Sequence, residues 1–273
     1  MSSYPPPPPQ PLVGWAPPLP STLNQSATPA KRFPTIANSV GWIGMYFGFQ
    51  IVFTIVTLIV AAVADSTLRD DILSGDPQRT QDALQGASVP LLAALVLAGL
   101  ASLAIMGLQL RKQQRHRQIG VFNANRWTWG RTIAAAVGLS IATLTLNALY
   151  GRLVLQGKNS QAQTTAIVKG LSGTGAKVIG FLAIVVIGPI VEEMLFRGYL
   201  QTALSKRMKP WLAIVLASCA FAAIHLQPAA FPMLALVGGV FGFLYHRTGS
   251  LRVSMVLHML NNGLAFAALL AST

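Results

Sequence analysis

From Ser39 onward, long apolar stretches alternate with short polar connections along the chain. Most of the apolar stretches are long enough for a helix that crosses the roughly 30 Å hydrocarbon layer of a bilayer. The pattern predicts seven spans, at about 40–63, 89–110, 132–156, 178–205, 211–227, 230–246 and 252–271. The fifth and sixth are short, which predicts that one of them is tilted or partly re-entrant. We therefore expect an all-α fold, a polytopic integral membrane helix bundle of about seven transmembrane helices.

The composition agrees with this membrane class. Hydrophobic residues make up 53% of the 273 residues, and charged residues make up only 10%, whereas soluble domains carry roughly 25% charged residues. The protein is therefore predicted to be a multi-pass protein integral to the cell membrane, with the lipid bilayer as its surroundings. The net charge of +13 lies in short loops between spans, so it indicates membrane orientation and predicts no nucleic-acid partner.

The basic residues are distributed unequally between the two sides of the predicted bundle. The connection after the second span has six lysines and arginines and no acid. Alternation of the spans places thirteen basic residues on that side, and six on the other side together with all five aspartates. Because cytoplasmic loops are enriched in lysine and arginine, the N-terminus is predicted to be cytoplasmic and the C-terminus to lie outside.

The chain divides into three predicted regions. Residues 1–38 hold 11 of the 17 prolines and no acid, so they are expected to form a disordered cytoplasmic tail. Residues 39–130 would form a transmembrane hairpin with its basic loop, and residues 131–273 the functional core. The single cysteine, Cys219, excludes an internal disulfide.

The two glutamates of the protein stand side by side in the fourth span. Glu193 and Arg197 are four residues apart, so on a helix they can pair and compensate one charge. Glu192 points about 100° away from this pair and has no local cation. Gly188-Pro189 precedes it and predicts a kink with room for water. An unpaired carboxylate at this depth predicts a functional site.

Two histidines also lie in apolar spans. Phe221 lies four residues before His225, and Asn262 lies four residues after His258. With Glu192, these imidazoles and the amide can activate a water molecule and stabilise an oxyanion. A glutamate with two histidines also suits zinc, so the chemistry alone leaves a metal mechanism open.

Three motifs together resemble a known family, the CPBP intramembrane proteases, which include the CAAX prenyl endopeptidases and the bacterial Abi proteins. The motifs are Glu-Glu-x-x-x-Arg at 192–197, Phe-x-x-x-His at 221–225 and His-x-x-x-Asn at 258–262. Each lies in a separate apolar span. The resemblance covers roughly the C-terminal half, from about residue 131.

The resemblance implies an intramembrane endopeptidase, a hydrolase that would cut a membrane-associated peptide or lipoprotein. Glu192 would activate the water with help from His225, and His258 and Asn262 would hold the oxyanion. The supporting residues would be Glu193, Arg197 and Phe221. In a metalloprotease version of the site, the zinc ligands would be Glu192, His225 and His258.

Other interpretations of the sequence stay open. A non-cleaving member of the same family, acting in bacteriocin immunity or as a membrane scaffold, would keep the motifs. A transporter would carry protons on glutamate and histidine, but it predicts features repeated in two halves. Asn261 is expected to form an interhelical hydrogen bond. Straight helices would place Glu192, His225 and His258 at three different depths.

Overall fold

A computed structural model describes residues 33–113, 115–121, 123–156 and 162–272, which are helical and contain no strand. The predicted proline-rich tail lies, up to residue 32, outside the described residues. The ten helices of the described ranges are α1 (Ile36–Ala64), α2 (Ser66–Leu73), α3 (Pro77–Gly86), α4 (Ser88–Lys112), α5 (Trp129–Leu153), α6 (Ala162–Lys169), α7 (Gly173–Ser205), α8 (Pro210–Ala223), α9 (Phe231–Thr248) and α10 (Leu251–Ala271).

Five of these helices, α1, α4, α5, α7 and α10, are long and apolar enough to cross a membrane. They correspond to the first, second, third, fourth and seventh predicted spans. The fifth and sixth predicted spans form α8 and α9. At 14 residues, α8 is about 21 Å long, shorter than the hydrocarbon layer. The all-α, polytopic membrane architecture is thus confirmed.

Local sequence signals explain several helix ends. Thr35 caps α1, because its hydroxyl accepts a hydrogen bond from the backbone N–H of Asn38 at 3.1 Å. Pro210 opens α8 at a position where a helix needs no backbone donor. Gly249 ends α9 with φ of +69°, a left-handed conformation that glycine adopts without strain.

Helix α7 forms the centre of the bundle and contacts α1, α4, α8, α9 and α10. Every residue from 193 to 201 is buried, which is unusual for a surface helix and typical of a central one. Large apolar side chains instead cover the outside of α1 and α5, including Ile55 and Ile141. This inverted distribution is what a lipid-facing surface requires.

One end of the bundle gathers the basic loops. The backbone N–H of Arg126 donates to Thr248 at 2.9 Å, and that of Leu251 donates to Gly120 at 3.0 Å. Lys206 donates to the carbonyl of Phe33. The first two bonds join the loops 115–131 and 247–252. Phe33 links the third loop to them, since the guanidinium of Arg115 lies 4.5 Å from its ring centroid. We call the three loops at 115–131, 206–209 and 247–252 the basic end.

The opposite end is formed by other segments. It holds α2, α3, the junction before α4, α6 and the connection 224–230. The hydroxyl of Tyr150, near the end of α5, donates to the carbonyl of Ala229 at 3.0 Å. Phe181 and Phe266 pack edge to face with ring centroids 6.3 Å apart. We call this face the distal end.

Candidate active site

A buried ion pair lies in the middle of the bundle on α7. Glu193 and Arg197 are 0% and 1% exposed, and their side chains meet at 2.9 Å. The pairing expected from their four-residue spacing is therefore confirmed. Arg197 also donates to the carbonyl of Gly238 on α9 at 2.9 Å, and its guanidinium lies 4.7 Å from the ring centroid of Phe221. Charge, hydrogen bond and aromatic contact together compensate for the desolvation of the pair.

His258 on α10 joins this pair through Glu193. The Nδ1 atom of His258 lies 2.9 Å from the same carboxylate oxygen that contacts Arg197. Since a carboxylate only accepts, Nδ1 carries the proton and donates it to Glu193. Phe241 packs against the imidazole ring with centroids 4.6 Å apart. The ring is thereby held in one orientation, with Nε2 directed away from Glu193.

Glu192 lies next to this group and in a different environment. Its side chain is 18% exposed, and its Oε2 atom lies 3.6 Å from Nε2 of His258. Each nitrogen of the imidazole thus lies near one carboxylate, Nδ1 near Glu193 and Nε2 near Glu192. The sequence predicts the ion pair between Glu193 and Arg197. It does not predict that the imidazole of His258 lies between the two glutamates.

His225 approaches the site from the turn that follows α8. Its Nδ1 atom lies 2.8 Å from the carbonyl of Phe221, so Nδ1 donates and Nε2 stays available as an acceptor. The ring of Phe221 contacts both imidazoles, with centroids 4.8 Å from His225 and 5.8 Å from His258. Straight helices would place Glu192, His225 and His258 at different depths, but all three line one cavity, and α8 ends at Ala223, before His225.

Asn262 is held by a break in the hydrogen bonding of α7. Residues 182–187 form π-helical turns, and the N–H of Gly188 donates to the carbonyl of Ala183. The next carbonyl in this pattern, that of Ile184, would need the N–H of residue 189, which is proline and has none. The side-chain amide of Asn262 supplies the donor instead, at 3.0 Å.

The neighbouring asparagine has a local partner. The Nδ2 atom of Asn261 donates to Oδ1 of Asn262 at 3.3 Å. The interhelical bond expected for Asn261 is therefore wrong, since Asn262 forms it. The physical reason is that only residue 262 faces the carbonyl left free by Pro189. One hydrogen of the Asn262 amide remains for a ligand.

The predicted polar residues line a common cavity of about 300 Å³. Glu192, His225, His258 and Asn262 all contribute to its wall. Glu192 is the only carboxylate among the described residues that line it. A carboxylate, two imidazoles and an amide, from α7, α10 and the turn that follows α8, therefore line one chamber.

Helix α1 supplies two wall residues that sequence reasoning missed. Tyr46 is buried and lies in the cavity wall with Gln50. The side chains of Tyr46 and Gln50 form a hydrogen bond, and Tyr46 interacts electrostatically with Glu192. The signal for them was weak but present, since Gln50 is a polar residue inside an apolar span, four positions after a tyrosine on the same helix face.

The predicted zinc ligands do not form a ligand cluster. Within the described ranges, no three histidine, cysteine, aspartate or glutamate side chains lie close enough to hold a metal ion. Glu192 and His258 face each other, whereas His225 contacts the ring of Phe221. The arrangement does not fit the zinc site implied by the resemblance, since such sites need at least three protein ligands around one ion.

The fold and the cavity define a class of protein, a polytopic membrane protein with a glutamate, histidine and asparagine chamber inside its helix bundle. Residues 174–264 match the family of type II CAAX prenyl endopeptidases described as Rce1-like. This segment contains all three motifs, so the match confirms the resemblance to the CPBP family. A search of curated proteins and a search of solved structures found no match.

Proposed function

We propose that this protein is an intramembrane endopeptidase that hydrolyses a peptide bond of a membrane-associated substrate inside the cavity. The family match supports a CAAX-type protease at the level of the family. The observation that carries the proposal for this chain is Glu192, a partly exposed carboxylate in the cavity wall, 3.6 Å from an imidazole nitrogen.

In this mechanism Glu192 is the general base. It takes a proton from a water molecule in the cavity, and the oxygen of that water attacks the carbonyl carbon of the substrate. His225 assists by accepting a hydrogen bond from the water at its free Nε2 atom. When the C–N bond breaks, the proton held by Glu192 passes to the leaving nitrogen, so the products are an acid and an amine.

Donors from α10 stabilise the oxyanion of the tetrahedral intermediate. The remaining hydrogen of the Asn262 amide donates to it, because the other hydrogen is held by Ile184. His258 donates through Nε2 when that nitrogen is protonated. Glu193 bonds to Nδ1 and stabilises positive charge on this ring. Fixed donors of this kind need no reorganisation during the reaction.

The matched variant for this proposal is Glu192→Gln, which keeps the shape of the side chain and removes the base. We expect about a 10²–10⁴-fold loss of cleavage. New protein N-termini in membranes of cells that carry the wild type should disappear in cells that carry the variant. Quantitative N-terminal proteomics of the two membrane fractions measures this difference.

The control is the thermal unfolding of the two purified proteins in the same detergent, which should coincide because Glu192 is not part of the buried ion pair. A metal chelator should leave the wild-type rate unchanged, since no step uses a metal ion. Cleavage retained by Glu192→Gln would refute the assigned role of the carboxylate.

A further inference from the structure

The cavity extends in one direction only. Beyond the layer of Glu192, its wall continues along residues that lie towards the distal end: Asn147, Thr164, Gln227, Ala265 and Leu269. Among the residues that the structure describes, the wall includes none from the basic-end loops at 115–131, 206–209 or 247–252. The chamber therefore lies between the reacting groups and the distal end.

Towards the basic end, the bundle is filled by tightly packed side chains. Phe196, Arg197 and Tyr199 on α7 are each at most 1% exposed. Gln201, one turn further, donates to the carbonyl of Gly242 at 2.9 Å and is also buried. This packed layer of α7 closes the route from the basic loops to Glu192.

The charge distribution gives the two ends a direction in the membrane. Among the described residues, eleven lysines and arginines fall on the side of the basic end, and five fall on the other side with all five aspartates. An excess of basic residues in short loops marks the cytoplasmic side. The distal end, with the mouth of the cavity, then faces away from the cytoplasm.

We infer that this site takes its substrate from the non-cytoplasmic side, as a peptide segment of an exported or membrane-anchored protein. The inference rests on the proposed function for the reaction and on the cavity for the direction. Asn147, Thr164 and Gln227 along the wall offer amides and a hydroxyl that suit the backbone of an extended peptide. A lipid-modified cytoplasmic C-terminus would meet the packed layer instead of the cavity.

Thiol labelling of intact cells tests the direction without using catalysis. In the full chain with Cys219→Ala, three single-cysteine variants sample the distal end, the cavity wall and the basic end: Gln78→Cys, Asn147→Cys and Arg117→Cys. All three native side chains are exposed. With a membrane-impermeant, charged maleimide, the first two should label at least tenfold more than Arg117→Cys, which should label only after permeabilisation. Labelling of Arg117→Cys but not of Asn147→Cys in intact cells would overturn the inference.

The cleavage sites provide an independent readout. N-termini that depend on Glu192 should map to the non-cytoplasmic side of the membrane segments of their proteins. Sites at cytoplasmic C-termini would overturn the direction while supporting proteolysis. Adding Glu192→Gln to the Asn147→Cys variant should leave thiol labelling unchanged. The labelling result therefore tests the direction of access even if the protein is not a protease.

Discussion

At the scale of single residues, two adjacent glutamates have separate tasks because a helix directs them about 100° apart. Glu193 is 0% exposed and bonds to Arg197 and His258, whereas Glu192 is 18% exposed and faces the cavity. A carboxylate with two fixed partners stabilises the bundle and orients an imidazole. A carboxylate with access to water is free to exchange a proton.

The buried pair should be needed for stability. Glu193→Gln removes the negative charge and leaves the guanidinium of Arg197 buried without its counter-charge. Breaking a buried pair on one side costs about 3–5 kcal/mol. We expect a markedly lower unfolding temperature in detergent, measured by differential scanning fluorimetry.

Glu192→Gln is the matched control for this prediction, since it makes the same chemical change one residue away and should unfold with the wild type. Equal unfolding temperatures for Glu193→Gln and the wild type would contradict the structural role of Glu193.

The sequence could predict local partners at this scale but not distant ones. The pair of Glu193 and Arg197 follows from a spacing of four residues on one helix. The bond between Glu193 and His258 joins α7 to α10, and no spacing along the chain encodes it. The same limit explains why the sequence predicts an interhelical bond for Asn261, whereas the structure has it at Asn262.

At the scale of elements, α7 departs from a regular α-helix on both sides of the glutamates. π-helical turns cover 182–187 and 194–201. Such turns widen the helix locally and are frequent at functional sites. Gly188-Pro189 predicts a kink in this helix. The pattern of apolar residues does not distinguish π-turns from α-turns, because every position in these segments is apolar or buried.

Helix α4 packs closely on the first of these segments. An added Cβ at Gly99 would lie only 2.3 Å from Cγ2 of Ile187. Gly99→Ala should therefore force α4 and α7 apart and destabilise the protein by about 1–3 kcal/mol. The unfolding temperature in detergent measures this loss.

Gly107→Ala on the same helix is the matched control, since nothing lies within 4 Å of its added Cβ. Alanine favours a helix over glycine by about 1 kcal/mol, so this variant should be as stable as the wild type or slightly more stable. If the Gly99→Ala protein were as stable as Gly107→Ala, α4 and α7 could accommodate the added methyl group with no loss of stability, and the prediction would be wrong.

The extent of the helices was largely predictable, because the length of an apolar run limits the length of a span. The third predicted span, 132–156, is shifted by about one turn from the observed Trp129–Leu153. The exception is the fifth span, where the apolar run continues to residue 227 although α8 ends at Ala223. The apolar pattern alone did not reveal this early end, which positions His225.

At the scale of the whole molecule, the bundle has a packed half and a half with a chamber. The lateral order of the helices decides which residues meet in that chamber. The spans are apolar on all sides, so their periodicity does not say which face meets which neighbour. For this reason the contribution of Tyr46 and Gln50 from α1 could not be derived from the pattern of the chain.

All residues of the cavity wall lie between Tyr46 and Leu269, and the compact unit of the structure begins at Phe33. A chain without residues 2–32 should therefore keep its unfolding temperature within about 2 °C and its cleavage rate within about twofold, since none of the described residues that line the cavity is removed. Thermal unfolding and N-terminal proteomics measure both quantities. A large loss of either one would show that the removed segment takes part in folding or in substrate capture.

The missing N–H of Pro189 has a consequence for how the site is inherited. Pro189 has no reactive group, but it leaves the carbonyl of Ile184 without a backbone donor. The side-chain amide of Asn262 on α10 bonds to this carbonyl, so Pro189 determines how that amide is oriented. Positions 189 and 262 are therefore constrained as one unit, and a donor restored at the first would release the second from its anchorage. The residues that shape this candidate site thus include a proline, which contributes by lacking a backbone N–H.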